Sequence, residues 1–389
     1  MEITDVRAVE APDFGPPDYD ESDVRRESWW EDLRVANPMT RYPRYEDVRA
    51  DWLPDFRDFG VVVEAADGTL GYAPGKHGAP VAALVDDYLG QRIQGEDAMA
   101  TETVHDMLER LCAPFGAGGI ASYAVSAIDL ALWDLKGKLL DRPVYELLGG
   151  PATDALDCYA TGNDTDWYLE LGFDANKLAC PYGPADGKEG LLANEELVAD
   201  RREMLGDAGE LMLDCWMAFD GEYTVRLANR LREYDLKWME ETLWPKDLDS
   251  HRRVRDRAPF QTLATGEHWY TAAPFQYAAN HDLVDVFQPD IHWVGGLTTV
   301  QKIASIAETA GKSVVLHCGG HTPCGQHASY GLPGIRWTEY PVTAPPGVAL
   351  DDAETRPGVA VPEDGELVPN DAPGFGIEFD PGRLAPFDH

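Results

Sequence analysis

Six ionisable residues stand at a nearly constant spacing through the second half of this 389-residue chain. They are Asp214, Glu240, Glu267, Asp290, His317 and Glu339, separated by 26, 27, 23, 27 and 22 residues. Each follows a short apolar run, at 211–213, 236–239, 262–264, 283–287, 313–316 and 335–338. Helical stretches lie between them at 224–234, around Arg252, at 272–279 and at 298–310. Each gap is the length of one strand and one helix, so the pattern predicts βαβα repetition, a parallel sheet and right-handed crossovers. An open sheet would string six consecutive strand ends along a line. Only a closed barrel brings them to one point, on the face where the carboxyl ends of its strands meet.

A different unit precedes the repeats. The run 60–65, Asp67-Gly68 and 70–72 predict a β-hairpin, and 81–89 and 97–111 carry helical spacing. Gly116–Gly119 reads as a loop. The strongest helix signal is 121–140, apolar on every side and hence buried, and Arg142-Pro143 ends it. The chain therefore divides into an α+β unit over 1–150, a barrel over 151–340 and a segment over 341–389. That last segment is rich in Pro and Gly and is predicted to run back over the first unit. The length agrees, being too great for one domain of roughly 150 residues but suited to a barrel of about 250 with a smaller companion.

With 44% hydrophobic residues the chain can bury a large core, which excludes disorder as its default. Its formal net charge of -37 repels nucleic acid and anionic membrane, so neither is an expected partner. The acids are dispersed, and 9 Lys stand against 23 Arg. That balance suits a halophilic protein kept soluble in concentrated salt, the alternative being an acidic enzyme from ordinary salt. The six cysteines include no CxxC pair, and neither a leader-like segment nor a run of about 18 apolar residues occurs, so a cytoplasmic location is expected. The Asn163-Asp164-Thr165 sequon is discounted on the same ground.

Three acids that converge, Asp214, Glu240 and Glu267, repel one another unless a cation lies between them. Hard oxygen donors favour Mg²⁺. Spacing alone leaves Glu240 and its neighbour Glu241 as alternatives. His317, one unit after Asp290, suits a base whose ring is oriented by a carboxylate, and Glu339 faces the same pocket. A competing zinc reading uses His317, Cys318, His321, Cys324 and His327. That run lacks two separated ligand pairs, and it contains Gly319, Gly320 and Gly325, as loops do. No GxGxxG after a strand, GxxxxGK[ST] or GxSxG motif occurs, which leaves nucleotide and serine-hydrolase readings without support.

The segment 127–150 resembles the junction between capping domain and barrel in the mandelate racemase branch of the enolase superfamily. The stretches NPMTRY (37–42), MLDCWM (212–217), LKWMEE (236–241), TGEH (265–268), FQPDIHWVGGLTT (287–299) and PGFGIE (373–378) are similar to the rhamnonate type of acid-sugar dehydratase within it. The resemblance covers nearly the whole chain. It implies an α+β capping domain on a modified (β/α)₇β barrel. It also implies Mg²⁺ on Asp214, Glu240 and Glu267, which favours Glu240 over Glu241. The catalytic dyad is then His317 with Asp290, Glu339 hydrogen-bonds a carboxylate or enediolate oxygen, and Lys177 offsets charge nearby. Arg49, Trp29 and His268 become substrate contacts, Trp29 replacing the capping-domain histidine of the family. Where many members carry Lys-x-Lys, this chain has Lys177-Leu178-Ala179, so a second catalytic lysine is missing.

The implied activity is removal of the C2 proton of an acid sugar and loss of its 3-hydroxyl, giving a 2-keto-3-deoxy acid. A racemase or epimerase on the same enolate is the alternative, and a non-catalytic zinc protein a more distant one. The expected partners are a small-molecule acid sugar and further copies of the chain in a homo-oligomer.

Overall fold

The hairpin read from the sequence has a third strand beside it. In a computed structural model that describes residues 1–12, 15–29, 34–45, 53–54 and 56–389, β1 (Ile3–Glu10), β2 (Phe59–Ala65) and β3 (Leu70–Gly75) form an antiparallel sheet in that order. The register of β1 slips between Ile3 and Asp5, which breaks the alternation that would have revealed it. Packed with this sheet are α1 (Gly78–Leu84), α2 (Gly90–Ile93), α3 (Thr101–Cys112), α4 (Ile120–Leu140) and α5 (Val144–Leu147). A π-helical turn, Val85–Leu89, joins the first two.

Helix α4 is buried along almost its whole length, as its apolar sequence predicts. Two acids on it are fully buried and serve as fasteners. Asp134 accepts the Tyr72 N–H of β3 at 2.9 Å, the Phe375 N–H of the C-terminal segment at 2.9 Å and the Lys138 ammonium at 2.6 Å. Asp129 accepts the Thr298 N–H at 3.0 Å. One helix thus ties the antiparallel sheet, the tail and the second half of the chain together.

That second half alternates strictly. β4 (Leu156–Thr161), α6 (Thr165–Glu170), β5 (Ala175–Ala179), α7 (Gly187–Leu205), β6 (Glu210–Asp214), α8 (Gly221–Leu231) and β7 (Trp238–Glu240) lead on to α9 (Leu248–Arg257), β8 (Leu263–Thr265), α10 (Ala273–His281), β9 (Val286–Phe287), α11 (Gly296–Ala310), β10 (Ser313–Val314), α12 (Pro323–Gly331) and β11 (Trp337–Pro341). Seven parallel strands run in chain order from β4 to β10, and β11 returns as the eighth to pair with β4. Among the described residues no strand ladder joins β10 to β11. That seam is crossed instead by the Cys318 N–H, which donates to Glu339 Oε2 at 2.8 Å. The fold is α/β, a (β/α)₇β barrel of the modified TIM type.

The Gly-rich run read as a loop is corrected here. Residues Pro323–Gly331 form a buried helix, capped by Thr322. They can do so because Gly325 lies against the Gly319 backbone, where a Cβ would collide. The C-terminal segment lies along β1, with the Phe387 N–H donating to Ala8 O at 3.2 Å, and its β12 (Glu366–Leu367) pairs antiparallel with β4. Among the described residues no helix is long and apolar enough to cross a membrane.

Candidate active site

Seven residues fill the barrel as one buried cluster: Tyr159, Ala175, Met212, Trp238, Ala264, Val286 and Val315. Side chains alternate along a strand, so the residue two places further on shares the inward direction. Two places on stand Thr161, Lys177, Asp214, Glu240, Gln288 and His317, and Trp337, packed on the same cluster, is followed in this way by Glu339. A polar ring therefore sits directly on the apolar plug. β8 departs from the rule, since Gly266 holds the second place. Its φ of +144° passes the inward position to Glu267, and a Cβ at 266 would lie 2.7 Å from the Phe275 ring.

Lys177 is fully buried at the centre of this ring. Its ammonium pairs with Glu240, lies 2.9 Å from Glu339 Oε1 and reaches Asp214 Oδ2 at 3.6 Å. The far oxygen of Glu240 accepts from Trp238 Nε1 at 2.9 Å and from Gln288 Nε2 at 2.5 Å. Glu339 also accepts from the Thr161 hydroxyl at 2.5 Å. His317 Nδ1 is 2.8 Å from Asp290 Oδ2, and Asp290 Oδ1 in turn accepts the His292 N–H at 2.7 Å. The other ring nitrogen of His317 lies 3.4 Å from Glu267 Oε2. Next to Glu267, His268 Nδ1 is 2.7 Å from Glu241 Oε1.

Burial and the mutual field of these groups set their protonation. Burial pushes Glu240 up to about 7 although Lys177 pulls it down, and burial with Glu241 pushes Glu267 up to about 8. Burial alone would raise Glu339, but Lys177 and His317 hold it at about 2. Against the pull of burial, Glu241 and Glu267 hold His268 near its charged form, at about 9. His317 is likewise held well above its ordinary value, burial being outweighed by Cys318, Glu267 and Asp290.

Ligand oxygens of Asp214, Glu240 and Glu267 lie within 4.8 Å of one another. Three carboxylates that close, two of them with raised pKa, make a donor set suited to a hard divalent cation. Glu241 meets His268 instead, and with Glu267 and His268 it makes another group whose ligand atoms lie within 4.8 Å of one another.

A cavity of about 160 Å³ opens over the ring. Of the residues expected to act, Asp214, Glu267, His317, Glu339 and Trp29 line it. Lys177, Glu240, Asp290 and His268 do not reach its wall and stand behind those that do. Arg49 lies outside the described residues. Val35, Ala179, Trp216, Pro341 and Val342 give the opposite wall an apolar character. Trp29 is 8% exposed and its backbone N–H donates to Asp164 Oδ2 at 3.0 Å. Arg26 fastens the same segment, bridging Asp164 at 2.6 Å and Asp166 at 2.7 Å. The indole fits only because residue 162 is glycine, since a Cβ there would collide with it. The sequon residue Asn163 is spent on the backbone of Ala179, which it meets as both donor and acceptor.

Thr161, Trp238, Gln288 and Cys318 were not foreseen as members of the site. For Trp238 and Gln288, two places before Glu240 and Asp290, the two-residue spacing was the available signal. The zinc reading does not survive as a run, because Cys324 and His327 are buried in α12, where the His327 ring packs 5.4 Å from Tyr145 and 5.6 Å from Phe375.

Two family models match the chain. The Mandelate racemase / muconate lactonizing enzyme N-terminal domain covers residues 60–149 and the Enolase C-terminal domain-like family residues 165–383. L-rhamnonate dehydratase of Saccharopolyspora erythraea is 37% identical over 402 residues, spanning 100% of both chains. Among solved structures, rhamnonate dehydratase from Gibberella zeae complexed with Mg is 31% identical, with a TM-score of 0.89 over 99% of this chain and 96% of that one. A racemase from Streptomyces coelicolor with bound magnesium is 28% identical, with a TM-score of 0.76 over 98% of each chain.

Proposed function

Because the chain belongs to the mandelate racemase / muconate lactonizing enzyme family of the enolase superfamily, we propose that it is a Mg²⁺-dependent acid-sugar dehydratase of the L-rhamnonate kind, a carbon–oxygen lyase. The observation that supports this most is the placing of three carboxylates and a carboxylate-held histidine around one cavity, with no second lysine on β5.

Asp214, Glu240 and Glu267 would hold the cation, and when bound it neutralises charge on the carboxylate of the substrate. Asp290 accepts the Nδ1 proton of His317, and a cation on Glu267 would offset a carboxylate that helps to hold the ring protonated, so that Nε2 can take the C2 proton. The same imidazolium then protonates the departing 3-hydroxyl, so that one group serves as base and acid in turn. Glu339, which lines the cavity, would hydrogen-bond a carboxylate or enediolate oxygen of the substrate, the role that the resemblance implies. Lys177, behind the cavity wall, is a positioning residue that spaces Glu240 and Glu339. Trp29 bounds the distal end of the sugar and His268 orients Glu267, while Arg49 stays a substrate contact on the resemblance alone. A racemase would need a second base, and Ala179 stands on the cavity wall where the Lys-x-Lys members carry one.

The deciding experiment incubates the Mg²⁺-saturated protein with a panel of acid sugars and assays 2-keto-3-deoxy acids. Glu240→Gln should abolish product formation and weaken Mg²⁺ binding in calorimetry by at least about tenfold. Epimerised sugar without keto acid would overturn the dehydratase reading, and unchanged Mg²⁺ affinity would remove Glu240 from the metal site.

The finer reading extends to the setting: a cytoplasmic enzyme of acid-sugar breakdown, assembled as a homo-oligomer, from a salt-rich cell. A net charge of -37 makes compaction costly unless salt screens it. The thermal midpoint in circular dichroism should therefore rise steeply between roughly 0.1 M and 2 M KCl at saturating Mg²⁺, as the screening length falls to about 3 Å. A flat or falling midpoint refutes the halophilic reading and leaves the enzymatic one standing.

A further inference from the structure

Cys318 follows His317 directly, and its side chain does not belong to the oxygen-rich site. Its backbone is left-handed, with φ of 50°. Its Sγ lies 3.3 Å from His317 Nε2, the nitrogen that Asp290 leaves free. Ligand atoms of His317, Cys318 and Glu339 all lie within 4.8 Å of one another. His321 lines the same cavity, and its buried Nε2 has no hydrogen-bond partner among the described residues.

We propose that His317, Cys318 and Glu339 form a second cation site, selective for a soft divalent ion such as Zn²⁺, whose filling switches the enzyme off. The donor chemistry separates it from the first site. Asp214, Glu240 and Glu267 offer only hard oxygen, whereas this trio offers nitrogen, sulfur and oxygen, the set that tetrahedral zinc prefers. Zn–S and Zn–N bonds of ordinary length at a tetrahedral angle hold the two donors roughly 3.5 Å apart, close to the separation already present. Glu339 Oε1 is committed to Lys177 and Thr161, whereas Oε2 takes the Cys318 N–H alone among the described residues and keeps capacity to accept. Binding forms the metal–sulfur bond and releases the thiol proton to solvent. It also occupies the lone pair of His317 Nε2, so the cation and the substrate proton compete for one position. The inhibition rests on His317 being the base; the binding does not.

Co²⁺ added to Mg²⁺-saturated protein is the probe, because a thiolate–cobalt bond gives a charge-transfer absorption that oxygen ligands do not. The wild type should show this band at stoichiometric Co²⁺, Cys318→Ser should lack it, and His317→Asn should weaken it. The other five cysteines are buried, so a band that persists in Cys318→Ser, or none in the wild type, overturns the site. Zn²⁺ should then inhibit the wild type at concentrations at least about tenfold below those that inhibit Cys318→Ser. A cobalt band without zinc inhibition overturns the switch and, with it, the role of His317 as base.

Discussion

His317→Asn is expected to reduce turnover by about four orders of magnitude or more, because one substitution removes both the proposed base and the proposed acid. Asparagine keeps a polar group beside Asp290, so the pocket should retain its shape. The substitution also separates the two proton transfers. In D₂O, exchange at C2 reports the first alone, and keto-acid formation reports both. Each should disappear together in the variant. Exchange that survives in NMR while dehydration stops would mean that another group takes the C2 proton, and the single-histidine scheme would fall.

The second large effect concerns stability. Lys177 is fully buried and is the cation nearest to Glu240, Glu339 and Asp214. Lys177→Met keeps the volume and removes the charge, which leaves buried carboxylates facing one another. Metal-free protein should lose about 3–5 kcal/mol in urea unfolding near pH 8. The loss should shrink toward about pH 5, because a carboxylate whose folded pKa is raised, as that of Glu240 is to about 7, destabilises only as pH climbs through the interval above its unfolded value. Saturating Mg²⁺ should also recover part of it. A variant as stable as the wild type in chelator at pH 8 would show that Lys177 does not hold the ring together.

Much of this was legible in the chain because the barrel repeats. Each of the six strand-end groups follows an apolar run at the length of one βα unit, and that regularity carried the fold and the spacing of the candidate metal and base positions together. What the spacing could not show were the side chains that hold those groups. Trp238 sits two places before Glu240 on the same strand face, where the alternation rule would have drawn it in, whereas Gln288 precedes Asp290 by two but past the end of its strand. Strands as short as Val286–Phe287 and Ser313–Val314 also hide their ends, since Asp290 and His317 stand beyond the ladder on irregular backbone. β1 was missed because its partner lies about fifty residues away and its register slips. α12 was missed because its glycines pack on another turn of chain, a tertiary reason that local propensity opposes.

Trp29 and Gly162 are far apart in sequence and occupy the two sides of one gap. An indole at position 29 requires the absence of a Cβ at 162, and a residue with a Cβ at 162 would require a smaller or displaced group at 29. Position 162 cannot gain a Cβ while Trp29 and Tyr168 stand where they do, and its φ of +135° favours glycine in any case, whereas position 29 can shrink without a clash. The strand-end carboxylates and His317 lie apart from both. A lineage could therefore reshape the wall of the cavity at position 29 alone, with Gly162 as its fixed partner, while the floor below was handed down intact.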